Sequence, residues 1–324
     1  MATSGGRTRA IVILAAAAAA LAVGGFLVST FVRPQSAGNP FAGTSLYIDP
    51  DSTAQRALAS ATDADRAAIA KIADTPSAIW LLPETYPTAS IAAYVDGVAT
   101  DANGKQQTPV FVVYGIPDRD CAAKQSAGGL TPDQYPDWIA QIARGLAKHT
   151  SVVILEPDAL ALAPECDNVG ARTAQIRAAV STLVPSGASI YLDAGHSNFR
   201  DAATIATLLK QAGIDQVRGF SSNVANFNST ADEVAYDQKV SDLTGGAHFV
   251  IDTSRNGSGP ASDAQFCNPP GRTLGPGPVV ISDGTAHDAN LWIKNPGESD
   301  GACNGGPPAG QWWNAGAVAL AGGQ

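Results

Sequence analysis

The amino-acid sequence predicts a single α/β domain, a distorted (β/α) barrel with about seven parallel strands. Short apolar runs alternate with helix-like segments from about residue 78 onward. This alternation is typical of parallel strands joined by right-handed crossovers. Polar side chains also collect directly after the apolar runs. No G-x-G-x-x-G motif follows the first run, which favours a closed or nearly closed barrel over the alternative, an open doubly wound sheet.

The N-terminal segment has the layout of an export signal. An apolar run spans residues 11–32, with Arg7 and Arg9 before it and Arg33 after it. The run is longer than the roughly 7–15 residues of a typical signal core. A signal peptide and an uncleaved membrane anchor therefore both remain open. In either case we expect the rest of the chain to be secreted or anchored at the cell surface.

This segment also sets the expected domain division. Residues 33–43 are rich in Pro, Gly, Ser and Asn, which indicates a short linker. We therefore predict that residues 1–38 are an export signal or signal anchor plus linker, and that residues 39–324 form one catalytic barrel domain.

The charge of the chain limits its partners. The formal net charge is −9 and the pI is near 4.8, and no basic cluster occurs beyond the extreme N-terminus. Binding to nucleic acid or to an anionic membrane surface needs a basic patch, so we expect no nucleic-acid partner. A neutral, sugar-like ligand suits this balance. We expect a monomer, with a possible membrane tether through residues 11–32.

The predicted elements follow in order. Small apolar residues at helical spacing predict helix over residues 51–72. The predicted strands are residues 78–82, 110–114, 152–156, 189–192, 217–222, 248–251 and 291–294. Helices between them include residues 135–148, 171–183, 201–211 and 232–243.

A cluster of polar residues follows each of six predicted strands. The carboxyl ends of parallel barrel strands meet at one rim, which is where such folds catalyse reactions. A single loop carboxylate more often caps a helix or pairs with an arginine, but six clusters in phase with six strands favour a shared site. The clusters contain Asp118 and Asp120, Glu156 and Asp158, Asp193 and His196, Asn223 and Asn226, Asp252 with Ser254 and Arg255, and Lys294 with Glu298 and Asp300.

The third strand leads into the most informative cluster. Four apolar residues run into Glu156-Pro157-Asp158, and Pro157 must end the hydrogen-bonded ladder because it has no N–H. Asp158 then lies where the strand emerges. Two interpretations stay open on this stretch alone: an active-site acid, or the N-cap of a helix over residues 159–163.

Four cysteines in an exported chain indicate two disulfides, with a metal site as the alternative. No C-x-x-C motif occurs and no histidine stands at ligand spacing, so we predict no metal site. Of the three possible pairings we favour Cys121 with Cys166 and Cys267 with Cys303, because each pair would join loops that follow successive strands.

The predicted rim is rich in carboxylates. No G-x-S-x-G motif occurs, which argues against a nucleophile elbow. Carboxylates without a metal motif favour acid–base chemistry, and glycoside hydrolysis is the leading example. Such chemistry needs one carboxyl group kept protonated by burial and by like charge, which Asp120 near Asp158 would supply. A metal-dependent hydrolase is the weaker alternative, since clustered Asp residues also hold Mg²⁺ or Ca²⁺.

Five segments of the chain resemble, in order, those of glycoside hydrolase family 6, the cellulases that invert at the anomeric carbon. The resemblance runs from about residue 39 to about residue 301. The matching segments are Tyr114–Cys121 followed by Ser126, Val153–Leu160, Tyr191–His196, Asn223–Asn226 and Trp292–Gly301.

The resemblance implies a barrel of seven parallel strands that cleaves β-1,4-glucan without a cofactor. Asp158 matches the general acid of the family, and Asp120 matches the aspartate that keeps this acid protonated and helps the sugar ring distort. Asp300 matches the proposed base, although a water chain is the alternative proton relay. In an inverting enzyme the acid and base stand roughly 6.5–9.5 Å apart to admit a water. The usual bridges of the family support the disulfide pairing given above.

The resemblance also implies a set of sugar-binding residues. Tyr47 falls where the family places an aromatic platform, and aromatic faces suit the apolar face of a pyranose ring. Phe199 and Phe266 stand near family tryptophans that bind leaving-side sugars, with simple loop packing as the alternative. The remaining implied contacts are Tyr114, Ser126, Asp193, His196, Asn226, Lys294 and Glu298.

The chain departs from tunnel-forming members after Asp300. A short Gly- and Pro-rich loop precedes residues 311–313, where those members have a long insertion. We therefore predict an open cleft and cutting within chains. With no carbohydrate-binding module in the sequence, soluble or amorphous glucan is the expected substrate. A cellobiohydrolase and a non-catalytic glucan-binding surface protein are the alternatives.

Overall fold

The computed structural model describes residues 1–2, 38–122, 126–261 and 265–322. The predicted export segment, residues 11–32, lies outside them. None of the helices in the described ranges has the length and apolar character needed to cross a membrane. The strands are β1 (Ser45–Leu46), β2 (Ile79–Leu81), β3 (Gln107–Thr108), β4 (Val110–Val113), β5 (Val152–Leu155), β6 (Ser189–Asp193), β7 (Gly219–Ser222), β8 (His248–Asp252), β9 (Val279–Val280) and β10 (His287–Leu291).

The α-helices lie mostly between the strands. Residues 51–72, predicted as helical, form two helices, and Thr62 begins the second because its side chain accepts a hydrogen bond from the N–H of Asp65. The helices are α1 (Thr53–Ala59), α2 (Asp63–Ala73), α3 (Thr88–Gly104), α4 (Tyr135–Leu146), α5 (Ala159–Leu162), α6 (Val169–Leu183), α7 (Ala202–Ala212), α8 (Thr230–Leu243) and α9 (Asn314–Leu320).

The main sheet confirms the predicted fold class. Its strand order is β2-β4-β5-β6-β7-β8-β10-β9, and every pairing is parallel except that of β9 with β10. The sheet curls into a half-barrel. No ladder joins β2 to β10 within the described ranges. One backbone hydrogen bond, from Ala78 N to Trp292 O at 2.9 Å, and the indole of Trp80, which donates to Ile293 O at 2.8 Å, cross this seam.

The seventh predicted strand, residues 291–294, is wrong in position. The strand is His287–Leu291, and the apolar residues after it belong to a rim loop. Its sequence carries a buried aspartate, so a search for an apolar run misses it. Asp288 is 2% exposed, because Arg218 donates to it at 2.9 and 2.7 Å and Tyr191 Oη donates at 2.6 Å. This network lies at the amino ends of the strands.

The strands are apolar on both faces because they separate two cores. One face of the sheet packs against helices through residues such as Phe111, Val153 and Phe220. The other face fills the barrel interior through residues such as Val112 and Ile154. Full burial of each such side chain contributes roughly 1.5–3 kcal/mol.

Both predicted disulfides are confirmed. Cys121 pairs with Cys166, with Cα atoms 5.4 Å apart, and Cys267 pairs with Cys303, with Cα atoms 6.2 Å apart. Each bridge ties together two loops at the rim where the strands end.

Candidate active site

The rim loops adopt unusual backbone conformations. Asp120, Glu156 and Asp158 have positive φ angles of 56°, 52° and 65°, and Asn223 and Ala225 have φ angles of 61° and 60°. Non-glycine residues in this region cost of order 1–3 kcal/mol each and persist only where surrounding contacts enforce them. The strain is therefore concentrated at the carboxyl ends of β4, β5 and β7.

Asp158 is half-buried and precedes α5, but its side chain makes no capping hydrogen bond. The alternative of an N-cap is therefore not supported. Its backbone N–H donates to Asp193 Oδ1 at 2.8 Å, which holds the residue in the left-handed conformation. Burial, and then the charges of Asp193 and Asp120, raise the pKa of the Asp158 carboxyl well above its usual range.

Asp193 corrects one predicted role. We expected it to contact sugar, but it is 1% exposed and its oxygens accept from Asp158 N, Gly195 N and Ser221 Oγ at 2.8 to 3.0 Å. Burial raises the pKa of Asp193 to about 7, against the lowering effect of these donors. Asp193 therefore fixes the backbone of Asp158 through this hydrogen bond. Its oxygens have little acceptor capacity left for substrate.

Asp120 lies on the loop after β4. Tyr114 Oη donates to its two oxygens at 3.0 and 3.1 Å. Burial raises the pKa of Asp120, although hydrogen bonds from Tyr114 and Ser126 and the charge of Arg119 oppose the rise. Two predicted residues, Tyr114 and Ser126, thus surround the carboxylate that was expected to keep Asp158 protonated.

A buried carboxylate holds the backbone of this same loop. Glu156 is fully buried and accepts hydrogen bonds from the N–H groups of Gly115 and Ile116 at 3.1 Å and from Tyr135 Oη at 3.0 Å. Burial raises its pKa to about 7. These contacts give Glu156 a structural role at the end of β5, because its oxygens are occupied by backbone N–H groups and by Tyr135.

Asp300 lies in a charged cluster on the loop that follows β10. Arg255 Nη1 donates to both of its oxygens at 2.8 Å, Asn268 N donates at 3.0 Å, and Lys294 Nζ stands 3.9 Å away. Burial lowers the pKa of Lys294, while the charges of Asp300 and Glu298 counteract this. We did not predict a role for Arg255, although it stands in the cluster that follows the sixth strand.

Glu298 and Asn226 are half-buried at the rim loops. Glu298 Oε1 accepts from Thr53 Oγ1 at 2.7 Å, which links it to the start of α1. Asn226 Nδ2 donates to Val224 O at 3.3 Å, a contact within its own turn.

His196 is held as a neutral imidazole. Asn228 Nδ2 lies 3.0 Å from His196 Nδ1, and Asn198 Nδ2 donates to Asn228 Oδ1 at 2.9 Å, which orients the amide. Nδ1 therefore accepts and Nε2 carries the proton. Burial lowers the pKa of His196 to about 4, so it stays neutral near pH 7.

The two phenylalanines differ in environment. Phe199 is half-buried and stacks on His196 with ring centroids 5.5 Å apart, and the Arg200 guanidinium lies 4.8 Å from its ring centroid. Phe266 is 56% exposed beside the disulfide at Cys267. Packing against neighbouring loop residues therefore accounts for the position of Phe199. The exposed ring of Phe266 has little such packing.

The predicted platform at Tyr47 is wrong. Tyr47 is 5% exposed, packs in the core between sheet and helices, and donates through Oη to Asp101 Oδ2 on α3 at 2.6 Å. Its backbone N–H donates to Thr108 O, beside the start of β4 and far from the strand ends. The position after a proline-rich linker does not show which side of the sheet an aromatic residue will reach.

Trp80 on β2 is an aromatic residue near the site that the sequence analysis missed. It faces the barrel interior, its ring centroid lies 5.2 Å edge-on from that of Tyr114, and Lys294 Nζ lies 6.0 Å from the Trp80 ring centroid. The signal was present, because alternate residues of a strand share a face and Trp80 lies two residues from Ala78 and Leu82.

The carboxylates do not form an evident metal site. Within residues 38–122, 126–261 and 265–322, no group of three or more His, Cys, Asp or Glu side chains could hold a metal ion. Their oxygens are instead directed to backbone N–H groups, to Tyr114 and to Arg255.

The family profile described as "Glycosyl hydrolases family 6" matches residues 41–323. Endoglucanase A of Cellulomonas fimi is 44% identical over 278 residues, which are 85% of this chain and 60% of that protein. The chain thus spans less than two thirds of this relative. Endoglucanase 1 of Streptomyces halstedii is 39% identical over 295 residues, 86% of this chain and 89% of that protein.

A solved structure shows the same fold. The endoglucanase Cel6 from Mycobacterium tuberculosis, in complex with methyl-cellobiosyl-4-deoxy-4-thio-β-D-cellobioside, superimposes with a TM-score of 0.84 at 42% identity. The alignment covers 89% of this chain and 100% of the solved chain.

Proposed function

The chain belongs to glycosyl hydrolase family 6, and on that premise we propose that it is an exported, endo-acting β-1,4-glucanase that cleaves with inversion. The observation that carries the proposal is the environment of Asp158. Burial, and then crowding by Asp193 and Asp120, raises the pKa of its carboxyl group, which makes no capping bond to α5. A carboxyl group kept protonated near neutral pH is what a glycosidic oxygen needs from its acid.

Asp158 gives its proton to the leaving glycosidic oxygen as the bond to the anomeric carbon breaks. Asp120, tied to Tyr114, keeps negative charge beside this acid and beside the positive charge that develops on the sugar. The bond that forms is from a water oxygen to the opposite face of the anomeric carbon, which inverts its configuration.

Asp300 takes the proton from that water, directly or through a second water. Arg255 donates to both Asp300 oxygens, which fixes the orientation of the carboxylate. Lys294 beside it, with Glu298, His196 and Asn226 on neighbouring loops, provides polar groups for sugar hydroxyls.

Endo-cutting is supported by the loop after Asp300. The N–H of Ser299 donates to Gln311 O and that of Gly310 donates to Ser299 O, both at 2.9 Å, so the intervening segment returns on itself. The Cys267–Cys303 disulfide ties it down further. A loop this short leaves the cleft open, whereas a cellobiohydrolase, the second candidate, would enclose the chain end.

We propose that the substrate is soluble or amorphous β-1,4-glucan and that the protein acts as a monomer. We also propose that it is secreted or anchored at the cell surface through residues 11–32. Two disulfides suit an oxidising compartment outside the cytoplasm.

The test is release of reducing ends from carboxymethylcellulose by the wild-type chain and by Asp158→Asn. The proposal expects clear activity that the substitution abolishes, and equal rates would refute it in favour of a non-catalytic glucan-binding protein. Viscosity should fall quickly relative to reducing ends released. A slow fall would indicate cutting from chain ends.

A further inference from the structure

Asp252, the last residue of β8, accepts hydrogen bonds from four backbone N–H groups. Its Oδ1 accepts from Ser254 at 2.9 Å and from Ile293 at 3.2 Å. Its Oδ2 accepts from Lys294 at 2.9 Å and from Ala225 at 3.1 Å. A carboxylate has about four acceptor sites. Because all four are used and Asp252 is 1% exposed, it has no capacity left for a substrate hydroxyl.

The four donors come from three rim loops that carry sugar-facing candidates. Asn226 directly follows one donor on the loop after β7, and Arg255, which holds Asp300, directly follows another. Lys294 is itself a donor on the loop after β10. Asp252 therefore joins its own loop to the loops of both neighbouring strands.

We propose that Asp252 is a positioning residue, whose carboxylate sets the relative placement of the three loops that present Asn226, Lys294 and the Arg255–Asp300 pair to the glucan. The inference rests on the proposed function, because only there do these groups bind sugar or water. It differs from a role in folding alone, since the loops rather than the strands are what Asp252 connects.

The backbone conformation of Ala225 shows why the hydrogen bonds to Asp252 are needed. Ala225 holds a φ of 60°, a conformation that costs a non-glycine residue of order 1–3 kcal/mol. Asp252 accepts from the N–H of Ala225, and Arg255 donates to the carbonyl of the same residue. Without the carboxylate, this turn loses a partner that enforces its strained form, and Asn226 moves with it.

The test compares Asp252→Asn with Asp288→Asn. The asparagine keeps the shape of the side chain but turns an –NH2 donor toward backbone N–H donors. Misplacement of catalytic groups by about 1 Å costs about 10²-fold, so we expect kcat/KM of Asp252→Asn to fall by about that factor, with KM for cello-oligosaccharides raised. Rates are measured well below the melting temperature and scaled to the folded fraction.

Asp288→Asn is the matched control, because Asp288 is equally buried but lies at the amino ends of the strands. It should lose stability and keep wild-type kcat and KM. Wild-type kinetics in folded Asp252→Asn, or the same kinetic loss in both variants, would overturn the proposal.

A second measurement applies if Asp252→Asn does not fold. Amide hydrogen exchange of the ligand-free wild-type protein should show protection at Ala225, Ser254, Ile293 and Lys294 that a thio-linked cello-oligosaccharide leaves unchanged. Fast exchange that slows only with ligand would mean that the glucan positions these loops, contrary to the proposal. Hydrogen exchange does not require catalytic turnover. An inactive wild-type protein would therefore refute the proposed function without deciding the role of Asp252.

Discussion

Two aspartates at opposite ends of the barrel show how neighbours decide what a buried carboxylate does. Asp288, at the amino ends of the strands, receives two hydrogen bonds from Arg218 and one from Tyr191. Asp158, at the carboxyl ends, has Asp193 and Asp120 as its charged neighbours. Pairing with a cation gives a buried carboxylate a structural role, whereas burial and crowding by like charge raise the pKa of another and favour the protonated form that can give its proton away.

The largest expected effects are a loss of activity on substitution of Asp158 and a loss of stability on substitution of Asp288. Asp158→Asn should lower the rate by about 10²–10⁴-fold, the usual contribution of a general acid, without lowering stability, since a neutral amide relieves the crowding. Asp288→Asn removes the carboxylate that accepts from Arg218 and should destabilise the fold by about 3–5 kcal/mol. Reducing-end assays and urea unfolding measure the two effects, and a stable Asp288→Asn would show that the ion pair contributes little.

The next effect concerns the pH dependence of the rate. Asp193→Asn removes a negative charge that raises the pKa of Asp158. Asp158 must be protonated to act, so the basic limb of the kcat/KM profile should move to lower pH. A profile across pH 4–9 for wild type and variant measures this. An unmoved limb would mean that another group controls it, and Asp288→Asn serves as a variant whose limb should stay in place.

A smaller effect is expected on how the stability of the fold depends on pH. Glu156 and Asp193 have pKa values raised to about 7 by burial. A group with a raised folded pKa binds more protons when folded, so its stabilisation is complete below its unfolded pKa and is lost as pH rises through about 7. His196, lowered to about 4, acts oppositely over part of this range. Because two carboxyls outweigh one histidine, the melting temperature should fall from pH 4.5 to pH 7.5.

Glu156→Gln tests this predicted fall of the melting temperature with rising pH. With one of the two groups removed, the melting temperature should fall less steeply across the same range. A slope identical to that of the wild type would assign the pH dependence to other groups.

The smallest effect is expected at Phe266, which is 56% exposed. Phe266→Ala should change the free energy of unfolding by less than about 0.5 kcal/mol, as exposed substitutions usually do. If the ring contacts glucan, KM for longer cello-oligosaccharides should rise while kcat stays unchanged. An unaltered KM would leave Phe266 with no role in binding. Phe199→Ala, at a half-buried ring, should by contrast lose stability.

Much of the fold could be predicted from the sequence because parallel strands covered on both faces are continuous apolar runs. Most of the main strands met that condition, although β7 ends in two buried serines, Ser221 and Ser222. The last strand did not, since Asp288 and His287 are tolerated inside it only through partners distant in sequence, which periodicity cannot identify. The same limit applies to Tyr47, whose side of the sheet depends on the pairing of β1 with β3.

For the site, the sequence located the rim but could not separate its carboxylates by task. Asp158, Asp193 and Asp252 each follow a strand and look alike as residue types. What distinguishes them is whether their oxygens meet backbone N–H groups, and hydrogen-bond direction is a property of the folded loops.

The seam between β2 and β10 leaves the barrel open along one side, because no ladder of the described residues closes it there. A complete cylinder of ladders would resist widening at every strand, but here Ala78 N and the Trp80 indole are the described links across the gap. Opening a region with few backbone hydrogen bonds requires little free energy. We therefore expect the sheet to open more readily at this seam than along any of its ladders.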